Sequence, residues 1–190
     1  MNKKLLAVVL AASCFSAGSV MAADENTGGQ ININGLVSDE TCPASVNGGD
    51  NDVNVTLKTA KPGEITALNA AALGAYPEAI NIIVDCKNAS LAKANLTMVS
   101  TFHSTSQGTL NNDSSLSGPA QGVNIAIHNV KDATPVQVKV NDPASVTTSD
   151  IDSNKIATFN FMASYVKSSP TATVTTGPVK TNATYLITYQ

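Results

Sequence analysis

The sequence predicts an all-β domain of sandwich type, on three observations. Seven or eight short runs alternate apolar with polar residues, polar turn-rich stretches separate them, and helical patterning is nearly absent. Residues 30–42, "QININGLVSDETC", put Ile31, Ile33, Gly35 and Val37 on one parity and lead into Cys42. Residues 52–60, "DVNVTLKTA", predict a strand with Val53, Val55 and Leu57 on one face. The run "AINIIVDC" aligns Ile80, Ile82 and Val84 and ends on Cys86, and "ANLTMVSTF" continues with Leu96 and Met98, then Ser100 and Phe102. "GVNIAIHNV" groups Val123, Ile125 and Ile127, and "TPVQVKV" follows. "KIATFNFMASYV" offers two faces, one with Ile156, Thr158 and Asn160, the other with Phe159, Phe161 and Tyr165. The last run, "TNATYLITYQ", alternates Ala183, Tyr185, Ile187 and Tyr189, so the domain is expected to finish inside a strand with no turn or cap after it.

Turn-rich stretches fall at 47–51, 104–122, 141–154 and 167–178. Residues 63–75, "GEITALNAAALGA", are open to two readings, a short helical turn or a loop with some strand content. Short strands at this spacing describe a sandwich of immunoglobulin-like type.

Residues 1–22 combine Lys3 and Lys4, an apolar run from Leu5 to Ala12 and small residues up to Ala22, the pattern of a secretory signal peptide cut before Ala23. The apolar run is too short to span a bilayer. A lipoprotein reading, with Cys14 as the acylated first residue, is weakened by Ala11 where a large apolar residue is usual. Removing 22 of 190 residues leaves 168, enough for one domain with its own core. It also leaves nine lysines and no arginine against fourteen acidic residues, moving the net charge from -3 to -5. Such a chain does not fit nucleic acid or an anionic membrane. Cys42 and Cys86 remain, and a pair in an exported protein reads as a disulfide, the alternative being two buried thiols.

No catalytic constellation emerges. His103 and His128 lie in no nucleophile or base context, and each reads as a surface or strand-face residue. Asp39–Glu40 and Asp150–Ile151–Asp152 are adjacent in loops rather than opposed across a bond, and "DNDVN" and "DIDSN" lack the spaced ligands, glycine and terminal glutamate of a calcium loop. The expectation is a protein that is not an enzyme, without metal or cofactor.

The most distinctive pattern joins the two ends. A loose polar segment with Gly28–Gly29 leads into the first alternating strand, Cys42 and Cys86 follow strands, Gly177 is the fourteenth residue from the end and Tyr189 the penultimate. Together with "GVNIAI", this order resembles the type 1 family of fimbrial subunits of the chaperone-usher pathway, over essentially the whole mature chain. The resemblance implies an incomplete immunoglobulin-like sandwich, the pilin fold, which lacks its last strand and is completed by a donor strand from a neighbouring subunit. Residues 1–22 would be the signal peptide, 23–35 the donor extension and 36–190 the pilin domain. Thr27, Gly29, Ile31 and Ile33 would form the donor strand, with the isoleucines in core pockets of the next subunit and Gly29 at a tight position. Gly177, Tyr185, Ile187 and Tyr189 would form the C-terminal assembly motif, with Gln190 held by a chaperone, and Cys42 and Cys86 the family disulfide. Implied partners are further pilin subunits in a homopolymer, a periplasmic pilus chaperone and an outer-membrane usher, with a host receptor for some subunits. The implied route runs through the periplasm to a surface fimbrium. Competing expectations are a receptor-binding adhesin or minor adaptor, and a complete sandwich whose first and last strands pair within one chain.

Overall fold

A computed structural model of the chain describes residues 42–67, 70–104, 106–131 and 134–190. The expected signal peptide and the donor residues Thr27, Gly29, Ile31 and Ile33 lie outside them. Nine strands are described: β1 (Ala44–Val46), β2 (Ala75–Asp85), β3 (Lys93–Val99), β4 (Leu110–Asn111), β5 (Val123–Asn129), β6 (Val136–Val138), β7 (Thr147–Asp150), β8 (Ile156–Lys167) and β9 (Thr184–Tyr189). One antiparallel sheet runs β1-β2-β8-β5-β4 with β6 also on β5, and a second runs β7-β3-β9.

Alternation decides which faces meet. Ile82, Val84, Ile125, Ile127, Phe159 and Phe161 of the first sheet are buried in one core with Ala94, Leu96 and Met98 of the second. Of the two faces open on β8, Phe159 and Phe161 therefore point inward, as i and i+2 on one side of a pleated strand, with stacked rings 6.3 Å apart. At its start β2 carries a bulge, where the three residue steps from Ala75 to Glu78 are matched by two on β8, from Tyr165 to Ala163; Tyr76 absorbs the irregularity with φ 50°.

Two expectations change, at 52–60 and 141–154, and the open one at 63–75 is decided. Residues 52–60 form no ladder: the run is extended, with Val55 and Leu57 partly buried and Val53 exposed, because neither of its edges has a strand partner among the described residues. Within 63–75 the only helical piece among the described residues is a three-residue 3-10 turn, Pro62–Glu64, which begins ahead of that stretch; Glu64 caps it by accepting the Lys61 N–H at 2.7 Å. The turn-rich stretch 141–154 contains β7, whose inward residues are Thr147 and Ser149.

β5 is buried on both faces. Its outer face, with Ala126 and His128, lies beneath Ala67 and Ala70, and Gly74 ties that cover to β8 by donating its N–H to Ser164 Oγ at 2.9 Å. A side chain at Gly74 would run into the Tyr165 carbonyl, so this close approach needs glycine. His128 is on a strand face, as expected, but fully buried. Its Nε2 lies 2.7 Å from the Ala70 carbonyl oxygen, which places the proton on Nε2 as donor, and its Nδ1 has no partner. Burial pushes the imidazole below its usual 6.5, the Ala70 contact opposing this in part. An unfolded chain therefore takes up a proton at higher pH than the folded one, so the contribution is complete above 6.5 and is lost as pH falls through the folded value. Urea midpoints at pH 7.5 and 5 should drop for the native chain and drop less for His128→Gln, a window above carboxylate titration; equal drops would sink the assignment.

Candidate functional site

β9 makes a ladder with β3 on one edge, from Val99↔Thr184 to Ala94↔Tyr189; on its other edge no ladder partner is described. Tyr185, Ile187 and Tyr189 turn inward against the core and stay only partly buried, while Leu186 is exposed on the outer face. Opposite stands the extended run 51–57, also without a ladder. Between these two walls opens a groove of about 860 Å³, floored by Ile80, Ile82, Ile125, Ile127 and Met98. An apolar floor between two unpaired main-chain edges is the shape of a missing strand, because every N–H and C=O along such an edge seeks a partner.

A second chamber of about 340 Å³ prolongs the groove, lined by Pro62, Ile65, Val123 and Val174. The two meet at a waist where Leu57 of one wall and Val179 of the other face Tyr165 of β8, since these three residues line both. Gly177 lines the smaller chamber with φ 152°, and a side chain there would collide with the backbone of 118–120; packing at this spot is enough to demand glycine.

The far end is bridged. Tyr185 donates its hydroxyl across the groove to the Asn51 carbonyl at 2.8 Å, and Tyr189 donates to the Cys42 carbonyl at 3.2 Å. Burial first, then the Asp52 carboxylate, pushes the Tyr185 phenol up, and burial does the same for Tyr189, so both remain protonated donors at neutral pH. Cys42 and Cys86 form the expected disulfide, with sulfurs in the core. The Gln190 carbonyl accepts from the Ala92 and Lys93 N–H groups at 2.8 and 3.0 Å, which fixes the end of β9 onto β3.

Of the C-terminal residues singled out in the sequence, Tyr185 lines the larger chamber and Gly177 the smaller one, while Ile187 and Tyr189 share the inward face of β9 and pack against the core. The waist was not anticipated. Tyr165 was legible as an inward residue of β8, but nothing in its local pattern separates a core tyrosine from one that divides two chambers.

A two-sheet immunoglobulin-like sandwich with such an open groove is a pilin fold. The sequence model of the fimbrial protein family matches residues 31–190, and the chain belongs to that family. Solved structures of similar fold include a chaperone-usher pilus subunit, 17% identical over 87% of this chain and 97% of that one, with a TM-score of 0.57. The P pilus rod subunit PapA is 17% identical over 78% and 99% of the two chains, TM-score 0.53. The CupB6 tip adhesin from Pseudomonas aeruginosa is 18% identical over 78% of this chain and 38% of its own, TM-score 0.56. No curated protein matches the sequence.

Proposed function

We propose that this protein is a structural fimbrial subunit that polymerises by donor-strand exchange into a surface filament used for adhesion. The carrying observation is the apolar groove between two unpaired edges, in a chain whose residues 30–37 alternate as a strand of the kind the groove lacks. Strand addition of this kind draws affinity from main-chain hydrogen bonds and specificity from alternate side chains in pockets, and chaperone–pilin complexes are a known instance. Ile31 and Ile33 supply the apolar burial, each worth about 1.5–3 kcal/mol. A periplasmic chaperone lends a strand to the open groove first, and the extension of the next copy replaces it at an outer-membrane usher.

Replacing Ile31 and Ile33 by aspartate puts two charges into apolar pockets. Cells carrying the assembly machinery should then show no filaments by electron microscopy, while chaperone-bound subunit remains soluble in the periplasm. Filaments of native number and length from this variant would refute donor-strand exchange.

A further inference from the structure

β9 begins at Thr184, yet the wall it completes runs back along Val179, Thr181 and Ala183 with no ladder of its own among the described residues. The loop 112–122 lies along that stretch, and one of its side chains does most of the holding. Asn112 donates from Nδ2 to the Pro178 carbonyl at 3.0 Å and to the Ala120 carbonyl at 2.9 Å, and its Oδ1 accepts the Lys180 N–H at 2.8 Å. Two donations and one acceptance fix which end of the amide is which. Around it the Asp113 N–H donates to the Lys180 carbonyl at 2.8 Å and the Ala120 N–H to the Pro178 carbonyl at 3.1 Å. The carboxamide thus serves residues 178 and 180 as a neighbouring strand would.

Parity gives this clasp a consequence. In an extended chain the N–H and C=O of one residue point to one edge and those of the next residue to the other. Gln190 exchanges both of its bonds with Lys93, so on the register of β9 with β3 the even residues Thr184, Leu186 and Thr188 direct their groups to β3 and the odd ones point away from it. Asn182 keeps that parity, its carbonyl accepting from Ser100 Oγ at 2.6 Å. Pro178 and Lys180 keep it through the clasp. The main-chain groups of Val179 and Thr181 are thereby left on the free edge, where they have no hydrogen-bond partner among the described residues.

Resting on the donor-strand reading above, we propose that Asn112 is a positioning residue for strand addition. Its carboxamide holds 178–181 in line with β9, so that the edge open to an incoming strand starts at Val179 rather than at Tyr185. Asn112 itself lies on the far side of the wall and acts through it alone. Without the side chain, Pro178 and Lys180 lose anchors, the stretch leaves the line of β9, and the incoming strand loses main-chain bonds to Val179 and Thr181.

The test uses the refolded mature chain, residues 23–190, and reads sedimentable polymer together with amide hydrogen exchange of the unassembled fraction. Asn112→Leu, close in size but without polar groups, should cut polymer about tenfold, with faster exchange at Lys180 and native exchange in β8. Asn112→Asp keeps an acceptor for Lys180 but sets a carboxylate oxygen against the Pro178 and Ala120 carbonyls. Its yield, divided by that of the native chain at the same pH, should be low at about pH 7 and climb severalfold by about pH 4.5, where the protonated acid donates again. The division cancels the titration of Asp113, which both chains carry. Asn112→Leu should show no such climb. Native yield from Asn112→Leu, or a ratio for Asn112→Asp that stays flat with pH, overturns the positioning role. Exchange that rises as much in β8 as at Lys180 overturns it too, because Asn112 would then support the whole fold. Should the leucine variant fail to fold, the pH ratio of Asn112→Asp decides alone. In each case a block by Ile31→Asp keeps donor-strand exchange standing, whereas native yield from that variant removes the reading on which this one rests.

Discussion

Fusing residues 23–37 behind Gln190 through a short loop should convert the mature chain into a monomer that unfolds well above the native one. β9 ends at the Tyr189 side of the groove, so a segment returning after a tight turn runs antiparallel to it and can fill the cleft from above Tyr185 to the waist. Burying Ile31 and Ile33 contributes about 3–6 kcal/mol, which in a domain of this size raises the midpoint by roughly 6–24 °C. The free edge of β9 also gains a partner, which removes the edge through which copies associate on the proposed reading. Thermal unfolding and sedimentation of both proteins check this. A native chain already as stable and as monomeric as the fusion would leave the groove with no role.

Replacing both Cys42 and Cys86 by alanine should cost about 4 kcal/mol, the chain-entropy value for residues 44 apart in sequence. The bond closes a loop that includes β1 and the whole extended wall 51–61, a wall with no ladder to hold it in place. Its loss should therefore loosen the groove before the main sheet. Urea unfolding would show a lower midpoint, and hydrogen exchange would show earlier opening at 51–61 than in β8. A fall of less than about 1 kcal/mol would mean that core contacts alone fix the two ends.

Much of the sandwich was legible because period-2 alternation reports burial directly. β2, β3, β5, β8 and β9 fall where their alternating runs lie, and the inner face of β9 is the expected one. The same signal misleads at 52–60. There alternation correctly marks Val55 and Leu57 as inward, but a ladder needs neighbours on its edges, and side-chain pattern carries no information about edges. β7 went unread for the opposite reason. Its inward Thr147 and Ser149 are polar, Ser149 donating to the Thr158 carbonyl at 2.9 Å, so apolar periodicity never registers it. The groove itself was reached through the resemblance of the two chain ends to a family. Ile80, Ile125 and Ile127 read as ordinary core residues, and only the fold shows that they also line an open groove.

The disulfide also has a mechanical meaning. In the filament proposed above, under tension, load on each subunit would enter where the proposed donor extension joins the domain, just ahead of Cys42. Without a crosslink that pull would peel β1, three residues long, from the sheet edge one pair of bonds at a time. The Cys42–Cys86 bond instead carries the load past β1 to the end of β2, an eleven-residue strand in the sheet interior, paired with β8 along most of its length. Force then acts along the strands, where many hydrogen bonds share it at once, so the subunit should hold its shape while the filament is stretched.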